Sequence, residues 1–249
     1  MDLQWIDDET GLAEGAAAQV AALLAAKPQA AVALATGRTP RGLYRRLVQR
    51  HEAGSLAVDA ARFFNLDEFV GLRPQDPRSY SAYLWKHLLA PLHVPPTQVR
   101  LLQGDAGDLA AECRVYDAAL AAAGGLDLAI LGLGTNGHIA FNEPGDGWNA
   151  ATHVVTLAAS TRRAQHHLFA GEAEIPTQGL TMGIATIRAA RKILLLAMGE
   201  GKAAAMAALR AGKPDPAWPA TALLDHPDLT VFADRRLAQT VPSALAGEG

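Results

Sequence analysis

LDLAILGLGTNGHIAFNEPG, residues 126–145, is the stretch on which the reading of this chain turns. Its first eight residues are almost continuously apolar. A short apolar run without polar alternation fits a strand buried on both faces of a sheet. The run then breaks into glycines at positions 134, 137 and 145. Glycine allows tight turns and close approach of backbone to a ligand. Among these glycines stand Asn136, His138 and Glu143. Histidine titrates near neutral pH and moves protons in both directions, and Glu143 or Asn136 is placed to orient it. The plainer alternative is a capped turn that happens to hold a structural histidine.

Working outward, similar apolar runs recur: QAAVALAT (29–36), ARFFNL (61–66), VRLLQ (99–103), KILLLAM (192–198) and LTVFAD (229–234). Helical stretches separate them, from Pro40 to about His51, over 78–90, over 107–123 and from about Lys202 to Ala211. Continuous apolar strands alternating with helices predict an α/β fold: a single doubly wound, Rossmann-like, mainly parallel sheet with helices on both faces. No repeat, linker or composition break divides residues 1–249, so one domain is expected. Residues 150–177 stand apart, with three histidines and the turn signals GE and IP. This segment is expected to form a small lid.

Composition narrows the function. The chain has 249 residues, half of them hydrophobic but only 6% aromatic, so a core of Leu, Val, Ile and Ala is expected. The formal charge is −3 and no basic run forms a tail, which argues against nucleic acid as a partner. Cys113 is the lone cysteine, in a helical setting that suits a structural thiol. The opening MDLQWIDDE is acidic and lacks the apolar core of a signal peptide, and no apolar run reaches membrane-spanning length. A cytoplasmic protein without a membrane partner is expected.

In open parallel sheets, ligands bind beyond the carboxyl ends of the strands. Three further strand ends carry unusual residues. After 29–36 comes Thr36-Gly37-Arg38-Thr39 before Pro40, a turn into a helix whose amides and side chains suit an anion. A threonine-capped turn is the alternative. After 61–66 come Asp67 and Glu68, which suit a general base or a cap. After 192–198 come Gly199, Gly201 and Lys202. A lysine in a first helical turn opposes the dipole unless an anion partners it. No G-x-G-x-x-G follows the first strand, and His138 and Glu143 lack a third ligand nearby, so neither cofactor nor metal is expected. The set suits proton shuffling on a phosphorylated sugar.

From about residue 29 to 234 the chain resembles the glucosamine-6-phosphate deaminase family, of the shorter bacterial type. The resemblance rests on ATGRTPRGLYRRL, FFNLDEFVGL with DPRSYSAYL, LGLGTNGHIAFNEPG, THVVTL with TRRA, IPTQGLTMGIATI, GEGKAAAM and PATALLDHPDLTVFAD. It implies conversion of D-glucosamine 6-phosphate and water to D-fructose 6-phosphate and ammonia. It further implies that His138 opens the sugar ring, assisted by Glu143 and Asn136, and that Asp67 carries a proton from C2 to C1. Glu68 is expected to support the loop. The phosphate would be held by Thr36, Gly37, Arg38, Thr39 and Lys202, with His167 reaching it from the lid. Galactosamine 6-phosphate as substrate, 6-phosphogluconolactonase activity, and a sugar-phosphate sensor without catalysis are the competing readings.

Two departures from the family pattern stand out. Many members carry aspartate where this chain has Asn136. The lid arginine that grips phosphate in the family falls on His167 here, while the phosphate loop carries Arg38, which is expected to supply the missing cation. In larger hexameric relatives an acetylated sugar phosphate activates through basic residues after the NEPG segment. Here Ala151, His153 and Val155 stand there, so no such activation and a monomer or small homo-oligomer are expected.

Overall fold

The computed structural model describes residues 1–148 and 150–238, so the expected domain of residues 1–249 extends beyond them at 149 and 239–249. In chain order the strands are β1 (Asp2–Ile6), β2 (Ala31–Leu34), β3 (Arg62–Asn65), β4 (Asp67–Phe69), β5 (Val99–Arg100), β6 (Leu128–Gly132), β7 (His153–Thr156), β8 (Gln178–Thr181), β9 (Lys192–Ala197) and β10 (Leu229–Asp234). The α-helices are α1 (Glu9–Ala26), α2 (Thr39–Glu52), α3 (Tyr80–Leu84), α4 (Leu109–Ala122), α5 (Ala159–Ala164), α6 (Ile184–Arg188) and α7 (Ala203–Arg210).

Seven strands form one parallel sheet in the order β1-β10-β9-β6-β2-β3-β5. The chain builds outward from β2 through β3 to β5, then crosses back to β6 on the other side of β2. That reversal opens a crevice at the carboxyl ends of β2 and β6. Alternate residues of each strand face opposite sides. Ala31, Ala33, Ala129, Leu131, Ile193, Leu195 and Val231 pack beneath α4, α6 and α7. Val32, Leu34, Leu128, Ile130, Leu194, Leu196 and Phe232 pack beneath α1, α2 and α3. Central strands buried on both faces have no polar alternation, which explains the continuous apolar runs.

The expected strands and helices all form, with ends displaced by one to several residues. The 78–90 stretch divides into α3 and a π-helical turn, Trp85–Leu89. Two elements at the amino end had no sequence signal. Strand β1 lies at the sheet edge and is half-exposed. Helix α1 is dominated by alanine, which gives little contrast between its faces.

A second sheet was not expected. Strands β4, β8 and β7 form a small antiparallel sheet in the order β4-β8-β7. The 150–177 segment therefore holds regular structure: β7, α5 and two 3₁₀ turns. The two main clusters are largely Leu, Val, Ile and Ala as expected, whereas the small sheet's core is half aromatic. Phe69, Tyr80, Phe141 and Phe169 cluster there, with Phe69 centred 4.8 Å from Tyr80 and 5.3 Å from Phe141. Four aromatic side chains thus gather in the small sheet, which needs large side chains to bury enough area, while Tyr44, Phe63, Phe64, Tyr116 and Phe232 pack in the main clusters. Cys113 is buried in α4, where burial, followed by the charges of Asp117 and Glu112, raises the thiol.

Candidate active site

Strand β3 ends at Asn65, and after Leu66 the chain enters the small sheet at Asp67. Asn65 bridges this transfer: its amide donates to the Asp67 carbonyl at 2.8 Å, and its Oδ1 accepts from the Leu102 N–H at 2.8 Å. Asp67 is buried, and among the described residues its carboxylate oxygens have no hydrogen-bond partner. Burial, and then the charge of Glu68, push its carboxyl well above the ordinary range. A buried carboxylate without a partner is a strong base once ionised.

Glu68 is used differently. Its carboxylate accepts the N–H groups of Phe69, Tyr80 and Ser81 at 2.9, 2.9 and 2.8 Å. It fastens the start of α3 to β4, so of the two readings for this acid, support of the loop is the one realised.

At the end of β6, Asn136, His138 and Glu143 converge. The Asn136 amide donates to Glu143 Oε2 at 2.8 Å, and Asn136 Oδ1 accepts the His138 N–H at 3.2 Å. His138 Nδ1 lies 3.7 Å from Glu143 Oε2, an ion-pair distance rather than a hydrogen bond. Burial drives the Glu143 carboxyl upward, but His138, Thr161 and the Asn136 amide outweigh it and hold the group below its usual range. The histidine ring lies flat against Gly134, where a Cβ would come within 2.4 Å of His138 Cδ2. Glycine is required at 134 by this contact.

The 150–177 segment completes the cluster. The Ala158 N–H donates to Glu143 Oε1 at 3.2 Å, Ser160 Oγ accepts from Asn136 at 3.4 Å, and the buried Thr161 hydroxyl lies 3.2 Å from His138 Nδ1. None of these three was singled out from sequence. The only sequence signal is that TRRA, which contains Thr161, belongs to the matching segments.

The anion corner forms between the ends of β2 and β9. Gly37, at φ 100°, turns the chain into α2, and its carbonyl accepts the Tyr83 hydroxyl. Arg38, not a threonine, is the N-cap of α2, and no side chain caps that helix. Pro40 has no N–H and the Arg41 N–H bonds the Arg38 carbonyl at 3.2 Å, so in this first turn the Thr39 N–H is the amide left for another partner. Thr36 is half-buried and Thr39 opens α2. Lys202 ends a 3₁₀ turn before α7. Burial lowers the Lys202 ammonium first, and the charge of Arg38 lowers it further. Neither cation has an ion-pair partner among the described residues. Two cations close enough to repel, with no carboxylate between them, favour an anion there.

His167 does not join this corner. It is exposed on a 3₁₀ turn, where Nδ1 contacts the Ala164 carbonyl at 3.1 Å. Among the described residues, no group of three or more His, Cys, Asp or Glu is arranged to hold a metal ion, and no helix is long and apolar enough to cross a membrane.

A family described as glucosamine-6-phosphate isomerases/6-phosphogluconolactonase matches residues 8–232. The glucosamine-6-phosphate deaminase of Geobacillus sp. (strain WCH70) is 42% identical over 231 residues, 93% of this chain and 92% of that protein. The glucosamine-6-phosphate deaminase of Bacillus pumilus (strain SAFR-032) is 41% identical over 235 residues, 94% of this chain and 98% of its own. Among solved structures, a monomeric glucosamine-6-phosphate deaminase matches with a TM-score of 0.93 at 39% identity, covering 96% of this chain and 99% of that one. A 6-phosphogluconolactonase from Thermotoga maritima shares the fold, with a TM-score of 0.73 at 20% identity over 94% of this chain and 98% of that one.

Proposed function

This chain belongs to the family of glucosamine-6-phosphate isomerases and 6-phosphogluconolactonases, and from that premise we propose that it is a glucosamine-6-phosphate deaminase. It converts D-glucosamine 6-phosphate and water to D-fructose 6-phosphate and ammonia. The observation that carries this reading is the pairing of two sites beyond the ends of β3 and β6, the strands that flank β2: the buried Asp67 carboxylate, unpartnered among the described residues, and the His138–Glu143–Asn136 cluster.

The reaction begins with a closed sugar ring. His138 takes the proton from the anomeric hydroxyl; the C1=O1 bond forms as the C1–O5 bond breaks, and His138 returns the proton to O5. Glu143, ionised and close to Nδ1, stabilises the imidazolium that exists between these transfers. The neutral Asn136 contributes through hydrogen bonds, holding Glu143 and the backbone of His138.

The open aldehyde acidifies the C2 hydrogen. Asp67 removes it: a C1–C2 double bond forms as the C1=O1 electrons move to O1, which takes a proton from the 2-ammonium group, giving an enolamine. Asp67 then delivers the proton to C1, leaving an imine at C2. Water adds to C2 and ammonia departs, giving the ketose. An ionised Asp67 that no group stabilises is suited to so weakly acidic a C–H.

Phosphate sits between the amides of the Thr36–Thr39 turn and the cations Arg38 and Lys202. Arg38 supplies the charge that the lid arginine supplies elsewhere in the family, since His167 forms no contact with this corner. Residues 150–177 serve as the lid, carrying Ala158, Ser160 and Thr161 onto the cluster. The protein works without a metal or organic cofactor, as a monomer, and acetylated sugar phosphate does not activate it. The structural match to a monomeric deaminase supports the oligomeric part of this reading.

The test is ammonia release by purified protein given glucosamine 6-phosphate or galactosamine 6-phosphate, with acid release from 6-phosphogluconolactone measured in parallel and Asp67→Asn as control. Rapid release from the glucosamine compound, lost in the variant, is expected. Turnover of either other compound alone would overturn the substrate assignment, and silence on all three would leave a sugar-phosphate sensor.

A further inference from the structure

His138 Nδ1 has two polar neighbours: the Thr161 hydroxyl at 3.2 Å and Glu143 Oε2 at 3.7 Å. The second distance is too long for a hydrogen bond, so the hydroxyl is the direct partner of this nitrogen. Glu143 is held below its usual range and so faces this nitrogen as a carboxylate. An ionised carboxylate only accepts hydrogen bonds. A ring lone pair turned toward that carboxylate is repelled, whereas an N–H is attracted, so Nδ1 carries the proton and the Thr161 hydroxyl accepts it. Among the described residues Nε2 has no hydrogen-bond partner, so the neutral ring keeps its acceptor lone pair there.

We propose that Thr161 is a positioning residue that fixes His138 as the Nδ1–H tautomer by accepting the N–H that Glu143 is too far away to accept. The assignment gives ring opening its base, because only an unprotonated Nε2 can take the anomeric proton. Thr161 belongs to α5 of the 150–177 segment, whereas His138 and Glu143 follow β6. The segment thus sets the protonation pattern of the histidine as well as covering it. Thr161 is itself buried, so its hydroxyl has few alternative partners.

The catalytic half of this inference rests on the deaminase reading, whereas the tautomer does not. Nitrogen-15 NMR of the histidine rings in the free protein, at a pH where His138 is neutral, distinguishes the two tautomers directly. The wild type is expected to show His138 with its proton on Nδ1. Thr161→Val, which keeps the shape and removes the hydroxyl, is expected to move the proton wholly or partly to Nε2. Its kcat for glucosamine 6-phosphate should fall roughly 10- to 100-fold while KM stays within about twofold. Thr161→Ser should retain both the tautomer and most of the rate. Thr161→Ala replaces the valine variant if that protein does not fold. A wild type protonated on Nε2, or a hydroxyl-free variant that keeps the Nδ1–H form, overturns the proposal whatever the rates. If the wild type releases no ammonia, the deaminase reading falls, and the NMR comparison still decides the role of Thr161.

Discussion

Asp67 on β4 and Thr181 on β8 stand opposite each other in the small antiparallel sheet, and the Thr181 hydroxyl reaches onward to the loop that follows His138. It accepts the Phe141 N–H at 3.1 Å and donates to the Met182 carbonyl at 3.2 Å. One buried threonine thus ties the strand of the proposed base to the loop of the proposed ring-opening group. Removing its hydroxyl leaves a buried N–H without that partner.

Thr181→Val is therefore expected to lower stability by about 1–3 kcal/mol, read as a lower urea midpoint with an unchanged slope. Activity should fall with it, since both proposed sites lose a shared anchor. An unaltered midpoint would show that the hydroxyl is dispensable.

Asp67→Asn is expected to abolish ammonia release and yet make the protein more stable at neutral pH. The sign follows from the raised carboxyl. A folded-state value above the unfolded one means that this group's stabilisation is complete below the unfolded carboxylate range and is lost as pH rises through the folded value. At neutral pH the wild type bears that cost and asparagine does not. Thermal unfolding should show a rise in Tm of roughly 2 °C or more at neutral pH. The rise should vanish in acid, where the wild-type group is protonated in both states. A lower Tm at neutral pH would contradict the account.

Arg38→Ala is expected to raise KM for the sugar phosphate about tenfold, with a smaller change in kcat, as befits loss of a charge-assisted contact. For the wild type, KM should climb on the alkaline side at a pH below the ordinary lysine range, because burial and then Arg38 lower Lys202. In the Arg38→Ala protein that alkaline limb should move to higher pH. Steady-state kinetics across pH measures both effects, and an unchanged KM would remove Arg38 from the phosphate site.

Gly134→Ala places a methyl group 2.4 Å from His138 Cδ2, so the ring must move. A displacement of this kind is expected to reduce kcat by about 10²-fold, with far less effect on KM because the phosphate corner lies at other strand ends. Full activity in this variant would show that the ring's resting place is not its working one.

The large sheet was legible because its central strands are buried on both faces, so 126–133, 192–198 and 229–234 stand out as apolar runs without any partner being known. Strands β4 and β8, three and four residues long, show no such pattern. They are strands because distant segments meet, with Asp67, Glu68 and Phe69 pairing to Thr181, Leu180 and Gly179. Local periodicity cannot report a pairing of that range. The aromatic cluster escaped for the same reason, since a low overall aromatic share says nothing about where those side chains gather.

The proposed site divides along the same line. The sequence by itself determined which chemical groups stand at the strand ends, because Asp67, Asn136, His138, Glu143, Arg38 and Lys202 sit just beyond apolar runs whose ends are local facts. Tertiary structure alone decided how those groups act. It left Asp67 without a partner while giving Glu68 three backbone N–H groups, brought Arg38 within reach of Lys202, left His167 outside that corner, and set Thr161 against His138. Residue type is written in the chain, but burial, charge proximity and hydrogen-bond partners depend on segments far apart in sequence, and these set proton affinity and tautomer.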